Sequence, residues 1–353
     1  MVVGFLVFRF FALAQQEERC VVRTVVGFPT AFSGDSGPAL SAQLYDPRGV
    51  ALDSAGNIYV ADQGNHRIRK IALDGVITTV AGRGTAGFSG DGGPATSALN
   101  EAAGLAFDTG GYLHIADTGN HRIRKIDENG IIQTIAGDCE VDYYSLRCFG
   151  GDGGPATQAR LYRPMGIAFD GSGNLYIADT GNERVRRVNT NGVIETVAGN
   201  GETGVRGDGG PATLASLNSP TAVALDAAGS LLIGNRFGNI QKVSTAGVIS
   251  TLVLRVAFAL AVDAAGNAYF TSLSLDRLFK VTPSGSVTVI AGTARAGFAG
   301  DGGDALRARL SAPAALAVDR NGNLFVSDRG NQRIRRLRGG VITTGRRNWS
   351  LRF

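Results

Sequence analysis

Few residues in this chain have side chains that commonly catalyse reactions or bind metals. Asp46 and Glu101 are carboxylates that could hold a divalent cation or act as a general acid or base. His66 and His121 could ligate zinc, which needs several donors held close together. The sequence contains no Gly-x-Ser-x-Gly, His-Glu-x-x-His or phosphate-loop motif. Any chemistry therefore depends on whether the fold brings these few residues together.

The elements that would position these residues are repeated along the chain. A phrase with Asp-x-x-Gly, an aliphatic run and Gly-Asn-x-Arg recurs around anchor aspartates. The anchors are Asp53, Asp108, Asp170, Asp226, Asp263 and Asp319, at intervals of 55, 62, 56, 37 and 56 residues. The longest interval contains an insertion, whereas the shortest lacks a second phrase, here called the glycine-rich loop. The glycine-rich loops are residues 32–39, 88–95, 149–156, 205–212 and 298–305.

Each copy predicts four short strands separated by tight turns. Aspartate and glycine suit the turn at Asp-x-x-Gly, because aspartate caps nearby N–H groups and glycine permits a positive φ. No stretch has a helical period. Six copies therefore predict an all-β fold, a six-bladed β-propeller of four-stranded antiparallel blades. In the first copy the predicted strands are 49–52, 58–61, 67–71 and 76–80.

Two segments resemble a known family. Gly64-Asn65-His66-Arg67-Ile68 and its copy at 119–123 resemble NHL repeats. The loop Gly-Phe-Ser-Gly-Asp-Gly-Gly-Pro-Ala is similar to loops of bacterial secreted NHL proteins and of the teneurin propeller. The resemblance covers roughly 90% of the chain and implies a six-bladed propeller. It does not imply one function, since NHL propellers include RNA-binding, protein-binding, sensor and lyase members.

Positions that differ between blades on a shared face are the candidate binding site. In a propeller, the connections between blades and the turns between second and third strands lie on one face, here called the loop face. An inner ring should surround the mouth of the central channel, with an outer ring around it. The predicted ligand-binding residues are Asp46, Arg48, Glu101 and Arg163 of the inner ring, and His66, His121, Glu183 and Gln332 of the outer ring.

An aspartate at the end of the second strand recurs with an arginine at the start of the third, as in Asp62 and Arg67. Blade four has Gly234 and Asn239 at these positions, so that both partners are absent together, and blade five has Ser272. Joint loss favours a structural pair across the turn over a phosphate-binding stripe, since nucleic-acid binding also favours aromatic platforms. The glycine-rich loops are interpreted as rigid connections, with anion nests as the alternative.

The two ends of the chain carry its basic charge. The net charge is +5, yet residues 15–337 carry none once Arg9 and the four arginines from residue 338 onward are set aside. Residues 1–14 are apolar and end in Ala-Leu-Ala, which predicts a signal segment and a secreted or periplasmic protein. Residues 15–345 would form the propeller and 346–353 a basic tail. Nucleic acid is therefore a disfavoured partner.

Two further predictions concern the strand that closes the ring and the cysteines. Residues 21–27 resemble an outer strand and are favoured to close blade six, with 341–344 as the competing segment. Cys139 and Cys148 are predicted to form a disulfide if the protein is exported. Cys20 is left over, free or in an intermolecular bond.

The sequence favours a non-enzymatic, monomeric binding or scaffold module for a protein or glycan, without a cofactor. The first alternative is a metal-dependent hydrolase or lactonase of the gluconolactonase type, which would use Asp46 and Glu101. That alternative is disfavoured because the first strands, which line the channel, carry small or apolar residues. The second alternative is an RNA-binding NHL propeller. No integral membrane segment is expected beyond the signal segment.

Overall fold

The computed structural model describes residues 21–26, 32–139 and 148–338. Four predictions concern other residues. The signal segment 1–14, the tail 346–353, Cys20 and the competing strand 341–344 all lie outside the described residues.

The described residues form six antiparallel sheets, each built from four main strands, and so the predicted six-bladed propeller is confirmed. Two of the sheets gain a two-residue strand from a glycine-rich loop. The strands are β1 (Val21–Val26), β2 (Gly37–Pro38), β3 (Pro47–Leu52), β4 (Ile58–Asp62), β5 (Arg67–Ile71), β6 (Val76–Ala81), β7 (Gly93–Pro94), β8 (Ala102–Phe107), β9 (Leu113–Asp117), β10 (Arg122–Ile126), β11 (Ile131–Ala136), β12 (Pro164–Phe169), β13 (Leu175–Asp179), β14 (Arg184–Val188), β15 (Ile194–Ala198), β16 (Pro220–Leu225), β17 (Leu231–Asn235), β18 (Ile240–Val243), β19 (Ile249–Val253), β20 (Ala259–Val262), β21 (Ala268–Ser272), β22 (Arg277–Val281), β23 (Val287–Ala291), β24 (Pro313–Val318), β25 (Leu324–Asp328) and β26 (Arg333–Arg338).

Short 3₁₀ turns are the helical elements of the described residues. They follow second strands or lie at the ends of glycine-rich loops, where they turn the chain without extending a sheet. The turns are Ala39–Ser41, Gln63–Asn65, Thr118–Asn120, Ala156–Gln158, Thr180–Asn182, Ala212–Leu214, Ala305–Arg307 and Arg329–Asn331.

The ring is closed by the N-terminal strand. β1 pairs antiparallel with β26, so that Val21 lies opposite Arg338 and Val22 opposite Leu337. Blade six therefore consists of β24, β25, β26 and β1. The favoured closure is confirmed. Blade six thus combines the N-terminal strand β1 with three strands from the end of the described chain. This shared blade closes the ring of the propeller.

The Asp-x-x-Gly turns are capped as the sequence predicts. In blade one, a carboxylate oxygen of Asp53 accepts hydrogen bonds from the backbone N–H groups of Ala55 at 3.1 Å and Asn57 at 2.8 Å. Gly56 has a φ of 91°, which a side chain would disfavour. These turns lie on the face opposite the loop face, so their aspartates belong to the scaffold.

The hydrophobic core lies between neighbouring blades, with one buried cluster at each junction. Between blades one and two, for example, Ile68 packs with Leu99 and Ile115, all fully buried. The first strands approach each other closely around the axis. A Cβ added to Gly49 would lie 1.9 Å from the carbonyl oxygen of Ala103, and one on Gly104 would lie 2.0 Å from that of Met165. Glycine is thus required where these strands meet.

Candidate functional site

The central channel is narrow and apolar. The first strands of all six blades line a cavity of about 100 Å³. Of the described residues that line it, Arg48 is the one with an ionisable side chain, and Met165, Thr221 and Phe258 share its level at the mouth. The channel walls therefore supply little that could act as an acid, a base or a metal ligand.

Both predicted rings occupy strained turns of the backbone. The inner-ring residues Asp46, Glu101 and Arg163 have φ values of 49°, 50° and 50°. In the outer ring, His66 has a φ of 49° and Gln332 of 57°. Positive φ is uncommon for residues with a side chain. These positions are therefore held by the blade architecture, whatever residue occupies them.

Three of the four predicted outer-ring residues link their blade to the next through a side-chain acceptor. Gln332 Oε1 accepts a hydrogen bond from the backbone N–H of Asp46 at 2.6 Å. Glu183 Oε2 accepts one from the N–H of Ser219, also at 2.6 Å. The residue types differ between blades, but their role as acceptor is the same. The residue types at these outer-ring positions vary, but the side chains share a structural function.

His121 plays the same role through its ring. Its Nδ1 accepts a hydrogen bond from the backbone N–H of Arg163 at 2.9 Å. Burial, with the nearby cations Arg163 and Arg122, lowers the pKa of His121 to about 4. The imidazole is neutral at pH 7 and able to accept this bond. At the preceding blade junction, Nδ1 of His66 is buried without a hydrogen-bond partner.

The inner ring forms two ion-pair groups at the channel mouth. In the first, the carboxylate of Asp46 lies 3.4 Å from Nε of Arg48 and also contacts Arg329. Burial and the neighbouring Arg329 lower the pKa of Arg48, opposed by Asp46. In the second, Glu101 Oε2 lies 2.6 Å from Nη2 of Arg163. The structure thus brings the predicted carboxylates to the mouth, each already paired with arginine.

The histidines do not converge on a metal site. His114, a buried residue of β9, has its Nε2 3.0 Å from a carboxylate oxygen of Asp108, and burial lowers the pKa of His114. His121 is occupied at a blade junction. Over residues 21–26, 32–139 and 148–338, no group of three or more histidine, cysteine, aspartate or glutamate side chains is placed to hold a metal ion.

The predicted aspartate–arginine pair uses a different arginine. In blade two, Asp117 pairs with Arg124, whose Nη1 lies 3.4 Å from its carboxylate, and both side chains are fully buried. Arg122, the predicted partner, instead donates to the carbonyl oxygen of Gly137 and stacks on Phe88. In an extended strand, residues two apart share a face. The second arginine of Arg-Ile-Arg was the signal that the sequence analysis missed.

The glycine-rich loop completes this arrangement, here called the buried ion cluster. In blade two, Oδ1 of Asp91 in the loop accepts from Nη2 of Arg124 at 2.7 Å. The loop is therefore a rigid connection that also supplies a charge. The clusters are Asp62, Arg69 and Asp35 in blade one, Asp117, Arg124 and Asp91 in blade two, Asp179, Arg186 and Asp152 in blade three, and Asp328, Arg335 and Asp301 in blade six.

Burial perturbs the strand aspartates of all four clusters. Desolvation raises the pKa of each to about 6, while hydrogen bonds from a backbone N–H, an asparagine and the arginine oppose the increase. These carboxyl groups lie inside blades and contact no cavity at the channel. Their perturbed pKa values therefore reflect the scaffold rather than a catalytic site.

Blades four and five replace the cluster in different ways. In blade four, Asn235 and Gln241 occupy the positions of the aspartate and the arginine, and Asn235 Nδ2 donates to Gln241 Oε1 at 2.9 Å. The predicted alignment with Gly234 was wrong by one residue, because Asn235 caps the N–H of Asn218 as the aspartates do elsewhere. In blade five, Ser272 and Phe279 take these positions.

Two further features complete the description. Cys139 and Cys148 form a disulfide, with a Cα–Cα distance of 6.3 Å, within the insertion before blade three. In the part of the chain that the structure describes, no helix has the length and apolar character needed to cross a bilayer.

Comparisons with known proteins agree with the repeat and the fold. The family described as the teneurin NHL domain matches residues 18–87 and 139–206, and the NHL repeat matches residues 310–337. Teneurin-4 from Mus musculus is 29% identical over 360 residues, covering 86% of this chain and 12% of the relative. Protein SUPPRESSOR OF QUENCHING 1, chloroplastic, from Arabidopsis thaliana is 30% identical over 348 residues, covering 87% of this chain and 32% of the relative. The chain thus spans only a small part of the relatives it matches.

Solved structures support the fold at low identity. A structural genomics protein of unknown function from Bacteroides thetaiotaomicron has a TM-score of 0.66 at 17% identity, covering 91% of this chain and 76% of that protein. A putative gluconolactonase has a TM-score of 0.60 at 11% identity, covering 91% of this chain and 92% of that protein. At such identities the likeness concerns architecture alone. Repeat, blade topology and family matches together identify the chain as an NHL-repeat protein that folds into a six-bladed β-propeller.

Proposed function

We propose that this propeller is a non-enzymatic binding or scaffold module, which recognises a protein or glycan ligand through its loop face. The observation that carries the proposal is the composition of the channel mouth. Arg48 lies there beside Met165 and Phe258, ringed by the ion pairs of Asp46 and Glu101. Charged hydrogen-bonding groups next to apolar surface in one concavity are typical of binding sites.

The accessible part of this mouth is its positive rim. The side chain of Arg163 is 49% exposed and that of Glu101 is 44% exposed. A ligand carboxylate or hydroxyl group can compete for Arg163, because an exposed ion pair contributes little stability by itself. Arg48 is held more rigidly between Asp46 and the channel wall. The rim therefore offers one adaptable and one fixed guanidinium group to a ligand.

The outer ring belongs to this proposal in a supporting role. Glu183 and Gln332 use their side chains to fix the backbone of the next blade. His121 does so for Arg163 itself, and its variation should change ligand affinity through the position of Arg163. His66 is the predicted outer-ring residue that makes no such bond, because its Nδ1 is buried without a hydrogen-bond partner.

The hydrolase and RNA alternatives lack a comparable observation. The two mouth carboxylates, Asp46 and Glu101, are each engaged by arginine. Exposed aromatic rings beside arginine do occur, as with Phe88 beneath Arg122, but the arginine already occupies the ring at 4.3 Å. We therefore retain the binding module as the proposal, together with an exported location and a monomeric state.

Arrays of sulfated and sialylated oligosaccharides and of immobilised peptides test this function. We expect binding to at least one class, weakened about tenfold or more in Arg48→Ala and Arg163→Ala, since each loses a charged contact. Arg320→Ala changes an exposed arginine in an Asp-x-x-Gly turn on the opposite face and should bind as the wild type does. If the mouth variants and Arg320→Ala are indistinguishable from the wild type on every array, the proposed site is wrong.

A further inference from the structure

Blade five has a cavity at the position where other blades hold the buried ion cluster. The cavity has a volume of about 260 Å³ and is lined by Ser272 and Phe279, which replace the aspartate and the arginine, and by Leu254, Arg255 and Leu275 among others. The interval between the anchors of blades four and five is 37 residues because the glycine-rich loop is missing there. The cavity is thus the space that loop and cluster fill elsewhere.

The polar groups at this cavity lack partners. Ser272 is 2% exposed, and its Oγ has no hydrogen-bond partner in the described structure. Arg255 stacks over the ring of Phe279 at 5.4 Å, and among the described residues no carboxylate pairs with it. A buried hydroxyl without a partner is costly for a protein to keep, whereas the exposed guanidinium group of Arg255 is accessible to a ligand. An acidic ligand would satisfy the guanidinium group.

The rim of the cavity is apolar and exposed. Leu254, which lines the cavity, is 85% exposed, and Phe237, next to the lining residue Gly238, is 62% exposed. Large apolar side chains beside an arginine are characteristic of protein-binding hot spots. The other blade junctions carry a glycine-rich loop in this place.

The outer edge of blade five is also open. In the other five blades, the glycine-rich loop forms a short antiparallel bridge with the fourth strand, for example Gly93 with Ile132 and Pro155 with Val193. In blade three this bridge includes a hydrogen bond from the N–H of Ile194 to the carbonyl oxygen of Gly154 at 3.1 Å. The corresponding residue of β23 is Val287, which pairs with Val281 on its inner side, and no described segment pairs with its outer side. An open strand edge can accept an added strand.

We propose that blade five binds an extended peptide segment of a partner, in which an apolar or aromatic residue precedes an aspartate or glutamate in a glycine-rich context. The apolar side chain would enter the cavity beside Phe279, and the acid would pair with Arg255. The peptide backbone would bridge to β23 at Val287. The argument for this occupant is internal, because five blades fill the same position with a segment of that composition from the chain itself.

A peptide copied from one of the glycine-rich loops of this chain tests the proposal. A labelled peptide with the sequence of residues 87–95, Gly-Phe-Ser-Gly-Asp-Gly-Gly-Pro-Ala, is titrated with the purified full chain by fluorescence anisotropy. We expect saturable binding that weakens about tenfold when the aspartate of the peptide is replaced by asparagine, or in Arg255→Gln. Arg255 is exposed, so this variant should fold normally. Hydrogen exchange at Val287 should slow in the complex, as expected for a bridged strand.

Two controls separate this site from the channel mouth. Arg163→Ala should leave peptide affinity unchanged, whereas Ser272→Leu, which fills the cavity, should weaken it without a loss of fold measured by thermal melting. The proposal is overturned if no saturable binding occurs up to about 1 mM peptide. It is equally overturned if Arg255→Gln binds as the wild type does, which would show that the peptide binds elsewhere on the chain.

Discussion

Blade two and blade five have the same four-stranded topology but opposite interiors. Blade two buries Asp117 and Arg124 and covers them with the loop that carries Asp91. In blade five, Phe279 stacks on Phe270 at 4.8 Å and no glycine-rich loop is present. In these two blades, the charges, their hydrogen bonds and the covering loop are thus either all present or all absent. Either interior supports a blade, although each leaves a buried polar atom without a hydrogen-bond partner, Nε of Arg124 in blade two and Oγ of Ser272 in blade five.

The interior of blade four is intermediate between those of blades two and five. Its Asn235 and Gln241 keep the hydrogen bond of the cluster without its charges, and its loop is retained. Asp208 of that loop accepts the N–H of Thr251 at 2.8 Å, in place of an arginine. Blade four thus keeps the loop with both charged partners replaced by neutral ones, whereas a single remaining charge would be buried without compensation.

The largest expected effect comes from breaking the cluster of blade two on one side. Arg124→Gln leaves the carboxyl of Asp117 buried without its cation, and we expect a loss of about 3–5 kcal/mol in the free energy of unfolding. The double variant Asp117→Asn with Arg124→Gln copies blade four and should recover most of this loss. Urea denaturation measures both. If the double variant is no more stable than the single, the clusters are not exchangeable units.

A second effect concerns pH. The pKa of Asp117 is raised to about 6 in the folded protein, above its unfolded value of about 3.9. The folded state therefore binds more protons between these values, so this group contributes stability that is present below about pH 4 and lost as pH rises through about 6. From about pH 7.5 to pH 4.5, the wild type should gain on the order of 2 kcal/mol relative to Asp117→Asn.

Asp170 provides the opposite control in the same fold. Burial alone would raise the pKa of Asp170, but hydrogen bonds from Asn174 and Ser172 lower it. Its contribution to stability is present above the unfolded pKa and lost as pH falls through the folded value. On acidification, the difference in stability between Asp170→Asn and the wild type should therefore become smaller. The difference between Asp117→Asn and the wild type should become larger. Parallel pH curves for both variants would contradict the assignment.

A third effect introduces half of the cluster into blade five. Ser272→Asp places a carboxyl group in the cavity that Phe279 also lines, and Phe279 occupies the position that Arg124 has in blade two. We expect a loss of about 2 kcal/mol at pH 8 and a smaller loss at pH 5, where the carboxyl is protonated. Thermal unfolding at the two pH values tests this. An equal loss at both would show that size, not charge, limits the position.

The smallest effect separates the loop aspartates. Asp91→Asn weakens a charged hydrogen bond to Arg124, but its side chain is 43% exposed, so we expect a loss of about 1 kcal/mol. Asp208 of blade four faces no arginine, so Asp208→Asn should reduce the free energy of unfolding by less. Urea denaturation of both variants side by side would resolve the difference. A larger loss in blade four would contradict the role assigned to the loop.

The repeat made much of the fold predictable, including blade number, turn capping and closure by the N-terminal strand. The candidate site was less predictable. Comparison between blades treated Glu183 and Gln332 as variable and therefore free, yet both accept hydrogen bonds from the next blade. A sequence reports residue identity, whereas several different side chains can supply one acceptor.

The sequence by itself determined the six blades, because a fixed period of turns and strand lengths leaves each repeat only one way to pair its backbone. Only the tertiary structure decided which arginine meets Asp117, since Arg122 and Arg124 share one face of the same strand and differ only in their position along it. Only the tertiary structure showed that the missing loop leaves a cavity at Ser272. The sequence shows that the loop is missing, but a cavity results only because the neighbouring blades fix the space around that position.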